Sequence, residues 1–112
     1  MKNKRMRRVY VISPLAGDIE KNMVAAIGYC KFVISEGYMP IASHVFYPPM
    51  LNDNIPEERE LGTSFGLSLL ADCDEAWCFG KRVTGGMAAE LEEAKCLDIP
   101  IKYIKEVENY GA

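Results

Sequence analysis

Four short apolar runs alternate with three helical patterns along this chain, and that order leaves few architectures open. Residues Arg8 to Ser13, Tyr38 to Ser43, Glu75 to Phe79 and Ile99 to Ile104 are rich in β-branched and aromatic side chains and read as strands. Between them, Ile19 to Glu36 reads as a helix with Ile19, Met23, Ile27, Cys30 and Ile34 on one face and Gly37 as its stop. A second helix starts at Pro56, a good first-turn residue, and runs to Ala71. A third covers Met87 to Leu97. Strand–helix alternation of this kind predicts a parallel sheet with helices on its faces, and continuous apolar strands fit burial on both sides. At 112 residues the chain suffices for one domain with a core. Residues 1–7 read as a basic leader, 8–106 as the α/β domain and 107–112 as a C-terminal tail.

Composition narrows the function classes. A net charge of −3 gives no global attraction to nucleic acid polymers or anionic membranes. Only the start, Lys2 to Arg8, is basic, and a solvated leader explains it more simply than a phosphate contact. No apolar run approaches the ~20 residues of a membrane span. Cys30, Cys73, Cys78 and Cys96 are dispersed and lack a histidine cluster, so neither metal ligation nor a disulfide framework is expected. They read as small buried residues in a reducing, cytoplasmic setting.

The residue most out of place is Glu90. At about 100° per residue, Met87, Leu91, Ala94 and Leu97 form an apolar stripe on the third helix, and Glu90 falls inside it. A carboxylate on the buried side of a helix costs several kcal/mol unless it has partners or a task. It follows the Thr84–Gly85–Gly86–Met87 turn, at the sheet edge where open α/β folds bind ligands.

The other strand ends at that edge supply Ser13, Pro14, Leu15, Gly17 and Asp18 after the first strand, Ser43 and His44 after the second, and Phe79 and Gly80 after the third. Glycines there allow close backbone approach, and the N–H groups opening the next helix suit a phosphate or carboxylate. Asp18 is most simply a helix N-cap, and Asn22 either a solvated residue or a polar contact. His44, the sole histidine, is a candidate for ligand hydrogen bonding, for proton transfer, or for capping a strand end. Tyr10, mid-strand, is either plain core filler or a residue whose buried hydroxyl needs a partner, and Glu90 is the nearest acceptor on offer. Gly62 and Gly66 allow close approach by a helix, another subunit or a ligand. Val45 to Asn54 is the one long loop, and its aromatics and prolines suit a packed lid or a subunit contact.

Three segments together, residues 9–17, 72–77 and 85–90, resemble the nucleoside 2-deoxyribosyltransferase superfamily. They resemble more closely a small branch of it common in phages and mobile elements of Firmicutes. The branch's motifs correspond to Ser13 through Asp18, to Pro40 through His44 to Pro48, and to Gly86 through Glu90, and the likeness spans about residues 8 to 104. It implies a single-domain Rossmann-like or flavodoxin-like sandwich with a four- to five-stranded parallel sheet. It gives Glu90 the role of a nucleophile on C1′ of a nucleoside or nucleotide, with Tyr10 orienting it. Ser13 to Gly17 would hold sugar or 5′-phosphate. No cofactor is implied, and self-association into a homo-oligomer is expected because small single-sheet domains often complete such pockets with a neighbour's loop. One departure stands out. The superfamily's base-contacting aspartate aligns with Gly66, leaving Asp72, Asp74, Glu58 or Glu60 as possible replacements.

Three readings follow: N-glycosidic cleavage or deoxyribosyl transfer; a non-catalytic binder of a nucleotide or ADP-ribose-like ligand; and an interaction protein whose Glu90 is salt-bridged to Lys81 or Arg82.

Overall fold

The computed structural model describes residues 5–107. Its elements are β1 (Arg8–Ile12), α1 (Ile19–Ser35), β2 (Met39–Ile41), α2 (Ser43–Phe46), α3 (Pro56–Ala71), β3 (Glu75–Phe79), α4 (Gly85–Cys96) and β4 (Ile101–Ile104). The four strands are all parallel and ordered β2-β1-β3-β4, the doubly wound arrangement expected from the alternation. The strand order reverses between β1 and β3, so the crevice over their carboxyl ends is where such a fold leaves room for a ligand.

The two-residue period of a strand divides the core in two. Val9 and Val11 of β1, with Trp77 and Phe79 of β3, face α1. Tyr10 and Ile12, with Ala76 and Cys78, face α3 and α4 through Leu70, Met87, Leu91 and Ala94. Tyr10 is thus the fully buried β1 residue that carries a polar tip into the α3/α4 layer.

On α1 the expected aliphatic face is not the buried one. Ile27 and Ile34 are 41% and 60% exposed, whereas Ala26 and Val33 are buried and Tyr29, Cys30 and Phe32 lie against the sheet. The sheet presents aromatic rings, and flat partners cover them best: Tyr29 stacks on Phe79 with centroids 4.5 Å apart and planes 9° apart. Aromatic side chains bury more area per residue than the aliphatic stripe offers. Gly37, at φ +92°, ends the helix as expected, its N–H bonding Ile34 O at 3.0 Å.

Other boundaries shift for local reasons. β2 is only three residues long because Tyr38 packs edge-on against Trp77 and Ser43 already opens a helical turn, so the supposed long loop begins as α2. Gly85 and Gly86 belong to α4 rather than to a turn before it. Thr84 is the N-cap, its hydroxyl accepting from Met87 N at 3.3 Å. Leu97, assigned to the apolar stripe of this helix, is its C-cap and 43% exposed.

The basic start is not a free solvated leader over its described part. Arg5, Arg7 and Arg8 pair with Asp74, Glu75 and Asp72 at the amino ends of β1 and β3. The first four residues, and all of the expected tail beyond Val107, lie outside the described residues. No described helix is long and apolar enough to cross a membrane.

Phe79 is fully buried against α1. Phe79→Ala is therefore expected to lower unfolding free energy by ~3–5 kcal/mol, read by urea denaturation. A Phe79 that merely lined a ligand site would leave the midpoint unchanged.

Candidate functional site

Glu90 is the fourth buried position of the α4 stripe, with Met87, Leu91 and Ala94, and is only 7% exposed. Its neighbours come from three elements. The Tyr10 hydroxyl, projecting from β1, donates to Glu90 Oε2. Tyr10 Oη also lies 2.8 Å from Ser43 Oγ at the start of α2. A phenol has one proton, so with that proton given to Glu90 the serine hydroxyl is the donor in the second bond.

Gly66 on α3 makes this arrangement possible. A Cβ there would stand 3.0 Å from the Tyr10 hydroxyl, 3.3 Å from Ser43 Oγ and 3.4 Å from Glu90 Oε2. The missing side chain is the room the polar cluster occupies. Gly62, one turn earlier, lets Leu51 approach instead.

Glu90 Oε1, by contrast, is buried without a hydrogen-bond partner among the described residues. No described ion pair reaches Glu90 either: Lys81 pairs with Glu106 at 3.1 Å, and Arg82 forms no salt bridge. Burial is the main force on the carboxyl and pushes its pKa from 4.5 up to about 7, with the Tyr10 hydrogen bond pulling the other way. Burial likewise raises the Tyr10 phenol well above its usual value, reinforced by the charge of Glu90. Tyr10 therefore remains a donor at any ordinary pH, and Glu90 stands near the midpoint of its titration at neutrality.

Glu90 lines a cavity of about 120 Å³ at the carboxyl edge of the sheet. Leu15, Ile19 and Gly86 line it from the β1–α1 and α4 sides; Ser43, His44, Tyr47, Leu51, Asp53 and Glu58 line it from α2, the following loop and α3. That volume is room for a sugar ring, and the mouth opens to solvent for the rest of a larger ligand. Tyr47 packs against Phe65 of α3 with centroids 4.9 Å apart, which folds the loop inward over the cavity.

The structure gathers Tyr10, Leu15, His44, Gly86 and Glu90 at this cavity or its floor. It sends others elsewhere. Phe79 and Met87 are core residues on opposite sides of the sheet, and Gly80 is a positive-φ turn residue. Ser13, Pro14, Gly17 and Gly85 do not line the cavity, although the buried Ser13 Oγ has no described partner. Asp18 caps α1, accepting from Lys21 N at 3.1 Å. Asn22 Nδ2 donates to the Leu15 and Ala16 carbonyls and so shapes the β1–α1 loop. Asp72 and Asp74 are tied to arginines at the far edge of the sheet, and Glu60 is exposed away from the cavity. Of the four acids considered as replacements, Glu58 alone lines it.

Asp53 and Arg59 line the cavity although no sequence signal singles them out. Ser43 enters beside His44, at the strand end where the sequence places both. His44 is held neutral, since burial lowers its pKa more than the backbone hydrogen bond with Ser13 and the charge of Asp53 raise it. Among the described residues no cluster of three or more potential metal ligands occurs.

A family model matches residues 7–104. The chain belongs to the family described as "Domain of unknown function (DUF7768)". Among solved structures it is similar to a 2-deoxyribosyltransferase from Bacillus psychrosaccharolyticus, with a TM-score of 0.65 and 18% identity over 91% of this chain and 77% of that one. At that identity the likeness establishes the α/β fold. Comparison with curated proteins finds no match.

The raised Glu90 pKa has a stability consequence of definite sign. Below the unfolded-state value of about 4.5 the group is protonated whether folded or not and costs nothing. As pH rises through about 7 the folded state must accept a buried charge that the unfolded state carries freely. Stability contributed through this group therefore falls between those limits, by roughly 3 kcal/mol at 1.36 kcal/mol per pH unit. Urea titrations from pH 4 to 8 should show Glu90→Gln gaining on the parent by about that amount; a constant difference would contradict it.

Proposed function

We propose that the protein cleaves or transfers the N-glycosidic bond of a nucleoside or nucleotide, with Glu90 as nucleophile. The observation that carries this reading is the unequal treatment of the two carboxyl oxygens. Tyr10 holds Oε2, while Oε1 is buried, unpartnered and part of a residue that lines a sugar-sized cavity. A carboxylate so held can attack C1′ to give a glycosyl-enzyme ester, which water or a second base resolves. Tyr10 and Ser43 fix the carboxylate's rotation, so that little is lost in orienting it when sugar arrives. The likeness to a 2-deoxyribosyltransferase supports the same chemistry at the level of fold.

A second reading is non-catalytic capture of a nucleotide or ADP-ribose-like ligand. It is favoured by one observation: the α3 position over Glu90 is Gly66, which offers no acid to a departing base. Of the expected partners we retain a small nucleoside-like molecule, a cytoplasmic setting, and kinship with the phage and mobile-element branch as parts of the proposal.

Incubation with nucleosides and their 5′-monophosphates, with free base measured chromatographically, tests the first reading. Base release should rise as pH passes through about 7, where Glu90 ionises, and Glu90→Ala should lower it by at least ~10³-fold. Tyr10→Phe should cost ~10–10²-fold, as expected for a group that orients and polarises. Ligand-dependent thermal stabilisation without any base release would favour the binder instead.

Self-association is the remaining proposal. Val24 and Ile34 on the outer side of α1 are 56% and 60% exposed, an apolar surface that a second copy would cover. Sedimentation equilibrium should give a mass above one chain, and Ile34→Glu should return it to the monomer value; a monomeric parent would end the proposal.

A further inference from the structure

α1 turns three large aliphatic side chains to solvent. Val24, Ile27 and Ile34 are 56%, 41% and 60% exposed, while Ala26 and Val33 on the other side of the helix are buried against the sheet. At 100° per residue Glu20, Val24, Ile27, Lys31 and Ile34 fall within an arc of about 80°, spaced alternately four and three apart. That is the seam spacing of a helix that packs lengthwise on another helix.

Two charges sit in the same seam. Glu20 and Lys31 are both exposed, and neither enters a described ion pair. They decide how a second copy of the helix can lie against this one. A parallel copy would set Glu20 against the partner's Glu20 and Lys31 against the partner's Lys31, like charges along the whole seam. An antiparallel copy centred between Ala25 and Ala26 sets Glu20 against the partner's Lys31 and Val24 against the partner's Ile27, each contact made twice about a two-fold axis. Sliding that pairing by one heptad places Lys31 on the partner's Ile27, or Glu20 on the partner's Val24. A charge covered by an aliphatic side chain loses its hydration and gains no partner.

Resting on the self-association proposed above, we infer that the chain pairs through α1 as an antiparallel two-fold dimer, with Glu20 and Lys31 setting its direction and register. The occupant of this face is a second copy because the seam is complementary to its own reverse: acid meets base and aliphatic meets aliphatic. Ile34 lies beyond the paired turns, against the partner's β1–α1 loop, and carries the apolar contact to the rim. A helix of 17 residues spans only ~25 Å. An interface of that length is small, so the dimer forms and dissociates with concentration.

Sedimentation equilibrium over a concentration series reads the dimer dissociation constant. Glu20→Lys replaces two attractive contacts per dimer by two repulsive ones and should weaken the dimer ~10-fold, and Lys31→Glu should do the same. The double variant Glu20→Lys/Lys31→Glu exchanges the two signs and keeps the net charge at −3. It should return to within about threefold of the parent, a coupling that independent sites do not show. Both positions are exposed, so these variants fold as the parent does. Single variants that associate like the parent, or a double variant no tighter than the singles, would overturn the α1 pairing while leaving self-association in place. A parent that stays monomeric throughout the series would remove self-association, and this inference with it.

Discussion

Desolvation of one carboxyl group organises this structure more than any other single effect. Glu90 is carried into the α3/α4 layer by the helical phase of α4, and once there it meets a phenol that a serine supports and, among the described residues, no paired cation. Burial raises its pKa to about 7, far enough that near neutrality the group is divided between an acid that is cheap to bury and an anion that is not. The Tyr10 proton offsets part of that cost for one oxygen. The other oxygen has no such relief. A fold that keeps such a group sacrifices stability at its site, as proteins commonly do where activity depends on a poorly solvated charge.

The sheet explains how the cluster is assembled from distant parts of the chain. The alternation within β1 sends Tyr10 toward α3 and α4 while Val9 and Val11 pack against α1. β1 is flanked by β2 and β3, so the chain segments leaving all three strands converge on one edge. Ser43, Gly66 and Glu90 meet the tyrosine hydroxyl there. The opposite edge is fastened by ion pairs between Arg5, Arg7 and Arg8 and the acids around β3. These pairs are largely exposed and individually worth little.

Sequence periodicity reads this fold well where a single physical force governs. The strand–helix order, the all-parallel sheet, α3 from Pro56 to Ala71, the stop at Gly37 and the burial of Glu90 all follow from apolar phase and local backbone preference. It fails where tertiary partners decide. The outer face of α1 carries aliphatics that periodicity would bury, but Trp77 and Phe79 select Tyr29 and Phe32 instead. Phe79 stands at a strand end, yet its side-chain parity turns it into the α1-side core and away from the cavity that Glu90 lines. Asp53 carries no pattern at all. It reaches the cavity because the loop after α2 folds over α3, a contact between segments that no local rule reports.

Gly66 also sets the mutational paths open to this chain. An aspartate introduced on α3 would bring its first carbon to 3.0 Å from the Tyr10 oxygen, so the acid could be accommodated only if the phenol were shortened or shifted at the same time. Either change alone would be deleterious: a crowded pocket in one order, an unsupported glutamate in the other. A side chain at position 66 and the phenol at position 10 therefore compete for the same space.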